Sequence, residues 1–148
     1  NCTFQNVVMG PIQVLAVNDT FREAIVPKNI LIANNKFLNN MGTDLAIFAY
    51  GNGTSDYTSG TIQGVEVENN YFYNGSGNAI WLLANGGTKV HNNLIHYTKK
   101  VSSLLVRVVG SSDVNVSNNV FYTTLDITLS SNVDCTNYVE KDNEKKGA

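Results

Sequence analysis

An all-β solenoid, a right-handed single-stranded parallel β-helix of about five rungs with three short strands per rung, is what three features of this 148-residue sequence predict. The first is a nine-residue pattern that recurs as ILIANNKFL (30–38), VEVENNYFY (65–73), TKVHNNLIH (88–96) and VNVSNNVFY (114–122). The second is period-two alternation of apolar residues, with almost no stretch at helical period. The third is the position of the last large apolar residue of each copy: Phe4, Phe37, Phe72, Ile95 and Phe121, spaced 33, 35, 23 and 26 residues apart. A short unit lengthened by insertions fits a stack of turns better than a compact sandwich.

The first strand of each rung carries inward positions Ile30/Ile32, Val65/Val67, Val90 and Val114/Val116. It ends at an Asn-Asn corner: Asn34 and Asn35, Asn69 and Asn70, Asn92 and Asn93, Asn118 and Asn119. A corner needs a residue in the left-handed region, which Asn tolerates better than other non-glycine residues. An Asn amide can also bond to the same amide one rung away, about 4.8 Å off. These asparagines are therefore expected to form a structural ladder, which Gly could not. The second strand places Phe4, Phe37, Phe72, Ile95 and Phe121 inward.

The third, longer strand is GPIQVLA (10–16), TDLAIFAYG (43–51), GNAIWLLANG (77–86), SLLVRVVG (103–110) and TLDITLSS (124–131). Its expected inward residues are Ile12/Val14, Leu45/Ile47, Ile80/Leu82, Leu104/Val106 and Leu125/Ile127. Two outward rows follow: Gln13, Ala46, Trp81, Leu105 and Asp126, then Leu15, Phe48, Leu83, Arg107 and Thr128. Residues 1–136 form the β-helix on this reading, and the charged stretch 137–148 is a solvated polar tail. The opening NCTF matches the end of one more copy, so the chain is expected to be part of a longer solenoid.

Composition narrows the function. The formal net charge is −2 and only 15% of residues are charged, which gives no electrostatic case for nucleic acid. Polarity comes largely from Ser, Thr, Gly and 22 asparagines. No apolar run approaches the roughly 20 residues of a membrane span. Cys2 and Cys135 lie about four rungs apart, roughly 19 Å at sheet spacing, too far for a disulfide. Neither a CxxC nor a Cys/His cluster points to a metal, and no cofactor is expected.

The outward face of the long strands is unusually apolar for solvent. Trp81, Phe48 and Tyr50, with Arg107, are the candidate contacts for an oligo- or polysaccharide. Tyr73, His96 and Tyr122 should line up on the outer face of the strand after the corner. Glu66 is expected beside Lys89, and Glu68 beside His91, as ordinary cross-strand pairs. A glycosidase needs two carboxyl groups about 5–10 Å apart. Asp44 and Asp126 are about 14 Å apart at sheet spacing, which leaves Glu23 and Asp56, in adjacent long loops, as the catalytic candidates.

Over residues 1 to about 133 the chain resembles the pectate-lyase-like right-handed β-helix superfamily, in its four Asn-Asn corners and its GNAIWL-type long strands. The run PIQVLAVNDTFREAIVPKNILIANNKF (11–37) is similar to the late rungs of bacterial β-helix glycoside hydrolases such as the α-1,3-galactosidases. That resemblance implies a secreted, periplasmic or cell-surface protein that binds or processes polysaccharide. It also implies that the main catalytic aspartates lie on earlier rungs of the parent chain. Phage tailspikes and surface adhesins use the same coil, so a non-catalytic structural or adhesive solenoid is the alternative.

Overall fold

A computed structural model describes residues 1–18, 27–51, 61–99 and 104–147. Its strands in chain order are β1 (Thr3–Gln5), β2 (Ile12–Asn18), β3 (Lys28–Ala33), β4 (Lys36–Leu38), β5 (Leu45–Gly51), β6 (Ile62–Glu68), β7 (Tyr71–Tyr73) and β8 (Ile80–Leu83). They continue as β9 (Asn85–His91), β10 (Leu94–His96), β11 (Leu104–Val109), β12 (Ser112–Ser117), β13 (Val120–Tyr122), β14 (Thr128–Val133), β15 (Thr136–Lys141) and β16 (Glu144–Lys146). Every third strand is a lateral neighbour. The three sheets are β1-β4-β7-β10-β13-β16, β2-β5-β8-β11-β14 and β3-β6-β9-β12-β15, and their strand pairs are all parallel. This is the right-handed β-helix of about five three-stranded rungs that the repeats predict.

Alternation decides the core. Phe37, Phe72, Ile95 and Phe121 are fully buried and stand in register through the short sheet. The rings of Phe4 and Phe37 stack at 5.2 Å, and those of Phe37 and Phe72 at 4.7 Å, so the aromatic column follows the sheet spacing. Leu45/Ile47 align with Ile80/Leu82, and Val65/Val67 face the same interior from the third sheet.

The two asparagines of each corner divide the work. Asn34, Asn69, Asn92 and Asn118 take positive φ, between 54° and 60°, and make the turn. Their successors are buried and make the ladder. Asn70 Oδ1 accepts from the backbone N–H of Asn35 at 3.0 Å and from its Nδ2 at 3.1 Å. Asn93 does the same for Asn70, and Asn119 for Asn93. Each amide also donates to a carbonyl of the preceding rung: Asn70 to Ile32, Asn93 to Val67 and Asn119 to Val90, each at 2.9 Å. Every polar atom of this buried corner is thereby satisfied without a charge.

Three expectations change. Residues 137–146, expected as a polar tail, continue the coil: β15 pairs with β12 and β16 with β13. The cause is a further corner spelled Asp-Asn. Asp142 takes φ 52°, and Asn143 Oδ1 accepts from Asn119 N and Nδ2 at 2.9 and 3.0 Å. Second, the long-strand register shifts by two residues after the third rung. Val106 and Val108, not Leu104 and Val106, align with Ile80 and Leu82, and Arg107 therefore stands beside Trp81. The last long strand is Thr128–Val133, so Ser130 and Asn132 occupy the positions expected of Leu125 and Ile127. Third, the short segments that follow the long strands give way at once to the next strand: NGG (85–87) opens β9, and Ser112 and Asp113, the second half of GSSD (110–113), open β12.

The last rung is polar where the others are apolar. Ser130, Asn132, Glu140 and Lys145 lie in register with Val106, Val108, Val116 and Phe121. Glu140 accepts from Ser130 Oγ and, at 3.4 Å, from Tyr138 OH, and Lys145 Nζ donates to the Leu125 carbonyl at 3.2 Å. Burial and the Glu140 charge push the Tyr138 hydroxyl up to about 12, so it remains a donor at neutral pH.

Candidate functional site

The outer face of β2-β5-β8-β11-β14 carries a cluster of aromatic and cationic side chains. Trp81 and Arg107 are neighbours on adjacent strands, and the Arg107 guanidinium carbon lies 4.5 Å from the centre of the indole ring. Phe48, one strand to the other side, meets Trp81 edge to face at 4.8 Å between centroids. All three side chains are partly exposed. The contact of cation and ring fixes a long side chain that would otherwise sample many rotamers. It leaves guanidinium N–H donors beside an apolar aromatic surface. Trp81 Nε1 is shielded from solvent and has no hydrogen-bond partner among the described residues.

Among the other expected contacts, Tyr50 lies on β5, next to Val17 in register. Glu23 and Asp56 lie outside the described residues. Arg107 was expected two positions along the strand from Trp81's row; the shifted register is what brings the two together.

Asp44, set aside above for its distance from Asp126, does not reach the exposed face at all. It is fully buried at the corner that precedes β5. Its Oδ1 accepts from Asn40 Nδ2 at 2.9 Å, and its Oδ2 from the Tyr97 hydroxyl at 3.2 Å. Burial raises its carboxyl from 3.8 to about 6, although both hydrogen bonds work in the opposite direction. Burial and the facing carboxylate hold the Tyr97 hydroxyl well above its ordinary range, so it donates. Gly75 makes room: a Cβ there would lie 2.6 Å from the Tyr97 oxygen and 2.7 Å from Asp44 Oδ2. With no exposed face, Asp44 cannot reach a polymer and serves the fold.

Tyr73, His96 and Tyr122 do line up on the outer face of β7-β10-β13. Their rings contact at 5.2 and 5.8 Å, at steep mutual angles, and Tyr71 OH lies 3.5 Å from His96 Nδ1. Tilted rings present edges as much as faces, so this stripe packs against itself along the axis. On β6 and β9 the register is as expected, Glu66 beside Lys89 and Glu68 beside His91. The contact is diagonal instead: His91 Nε2 lies 2.8 Å from Glu66 Oε1 and 3.8 Å from Glu68 Oε2. Cys2 and Cys135 are free thiols, and Cys135 Sγ points at the Val108 carbonyl at 3.7 Å.

Among the described residues, sixteen parallel-paired strands in three sheets with a stacked Asn corner define a repetitive β-solenoid, which carries an aromatic–guanidinium cluster on one outer face. The chain belongs to the right-handed β-helix family: the model of the right handed beta helix region matches residues 1–147. No curated protein and no solved structure matches it. Among the described residues no helix is long and apolar enough to cross a membrane.

Proposed function

We propose that the chain is a polysaccharide-binding β-helix domain of a bacterial carbohydrate-active enzyme, a glycoside hydrolase or lyase-like protein exported to the periplasm, the cell surface or the medium. The supporting observation is the Trp81–Arg107 stack flanked by Phe48 on an outer sheet face. Sugars offer apolar C–H faces and rings of hydroxyls at once. An indole buries the former, and a guanidinium held in place donates to the latter. A parallel sheet adds a straight run of strands about 4.8 Å apart, suited to an extended polymer. The acids that would cleave such a polymer belong to Glu23 and Asp56 or to other rungs of the parent chain, since Asp44 is inaccessible.

The test is a glycan array and titration calorimetry with the intact chain and with Trp81→Ala. Binding that falls by about 2 kcal/mol or more in Trp81→Ala, with an unchanged melt, is the expected result. Absence of any glycan signal, together with tight self-association, would favour the structural or adhesive solenoid.

A further inference from the structure

We propose that Glu66, Glu68 and His91 form a binding site for a divalent transition-metal ion, with Zn2+ as the ion their chemistry fits best. Glu66 and Glu68 are two residues apart on β6, so both carboxylates leave the sheet on its outer face. His91 is the lateral partner of Glu68 on β9. One ligand atom from each of the three side chains lies within 4.8 Å of the other two. This set is invisible in sequence order, because its third member comes from the next rung.

The distances suit a small ion. Zinc holds nitrogen and oxygen ligands at about 2.0–2.2 Å, which separates neighbouring corners of its tetrahedron by about 3.4 Å. The separations from His91 Nε2 to the two carboxylates, 2.8 and 3.8 Å, lie on either side of that value. An ion would replace the proton between His91 and Glu66, and small side-chain rotations would equalise the two distances. Three protein ligands leave the fourth position to water.

Two further observations point the same way. Asn92 Nδ2 lies 3.0 Å from His91 Nδ1. With Nε2 bound to an ion, Nδ1 carries the proton, and the Asn92 amide turned end for end accepts it, an outer partner of the kind that orients metal-bound imidazoles. A depression of about 170 Å³ beside His91 is lined by Glu66, Lys89, Asn115, Ser117 and Asn118. Asn115 Oδ1 is shielded from solvent and has no hydrogen-bond partner among the described residues. Lys89 is exposed on a flexible stem, and its single charge stands against two carboxylates.

The experiment titrates Zn2+ alone into the intact chain carrying Cys2→Ser and Cys135→Ser, which removes both free thiols as ligands. The expected result is saturable binding of about one ion per chain, with a rise in melting temperature that EDTA reverses. Glu68→Gln keeps the His91–Glu66 hydrogen bond and should abolish that binding, as should His91→Ala. Asn92→Ala should weaken it about tenfold. Absence of saturable binding, or binding retained in Glu68→Gln, would overturn the proposal. Glu68→Gln changes a partly exposed side chain at its tip, so the test stands even if His91→Ala fails to fold.

Discussion

Two of the buried polar corners along this molecule solve the same problem differently. At the corner between β3-β6-β9-β12-β15 and the short sheet, Asn-Asn recurs rung after rung, and Asn35, Asn70, Asn93, Asn119 and Asn143 form one continuous neutral column. The next corner begins the same way, with Asn39 turning at φ 52° and Asn40 behind it. It then diverges, to Asn74–Gly75 and to Tyr97–Thr98, and a carboxyl group fills the interior. Repetition of one side chain satisfies every donor and acceptor at a spacing the sheet already sets. A mixed corner reaches the same end with an ionisable group, and its stability must then depend on pH.

The largest difference should come from cutting the ladder. Asn70→Ala leaves the Asn35 N–H and amide and the Ile32 carbonyl without partners in the interior, at a cost of roughly 3–5 kcal/mol. Denaturant melts should register it with glycan binding unchanged at temperatures where the fold persists. A variant as stable as the parent would mean that the column is decoration.

The mixed corner should reveal itself by titration. Asp44 has a folded pKa near 6 against 3.8, so between these values the folded state binds more protons than the unfolded chain. Stability contributed by the protonated group is present in full below about pH 4 and is lost as pH rises through 6, a change of about 3 kcal/mol. Asp44→Asn keeps the neutral shape and should flatten that slope, raising the melting temperature at pH 7 to 8. A pH profile identical in the two proteins would remove the carboxyl from the account.

Gly75→Ala should cost less, about 2 kcal/mol, by forcing the Tyr97 hydroxyl from Asp44. Its measurable mark is a melt lowered at pH 4, where the corner is otherwise at its best. Smallest is the outer asparagine of the ladder corner. Asn69→Ala should lose about 1–2 kcal/mol because alanine resists positive φ, and Asn69→Gly should be close to neutral. If Asn69→Ala instead matched Asn70→Ala, the division of labour within each pair would be wrong.

Most of the architecture was legible because it repeats. Period two named the inward residues of the first three rungs, and Asn-Asn named the corners. Legibility ended where repetition did. Residues 97–103 contain no marker that fixes how far the chain travels before β11, and a two-residue error there displaced Arg107 from Trp81; the last long strand lies five residues further on than expected, so a second misplacement falls between β13 and β14. The final corner was hidden by a single substitution, Asp142 in place of Asn, followed by a lysine where an apolar residue was expected. Asp44 and its partner Tyr97 are 53 residues apart and belong to no pattern. Its burial follows from three rungs of packing, which no local window contains. The residues proposed to contact glycan were nameable because alternation separates inside from outside, yet their contacts with one another depend on the register that alternation leaves open.

The polar last rung has a consequence for growth. A stack of similar turns is its own template, since each exposed strand edge offers N–H and C=O groups to the next copy. Laying another apolar turn on Ser130, Asn132, Glu140 and Lys145 would strip water from a carboxylate and an ammonium, at several kcal/mol per ion. That penalty makes this rung a poor template for a further apolar turn, whichever chain the turn belongs to.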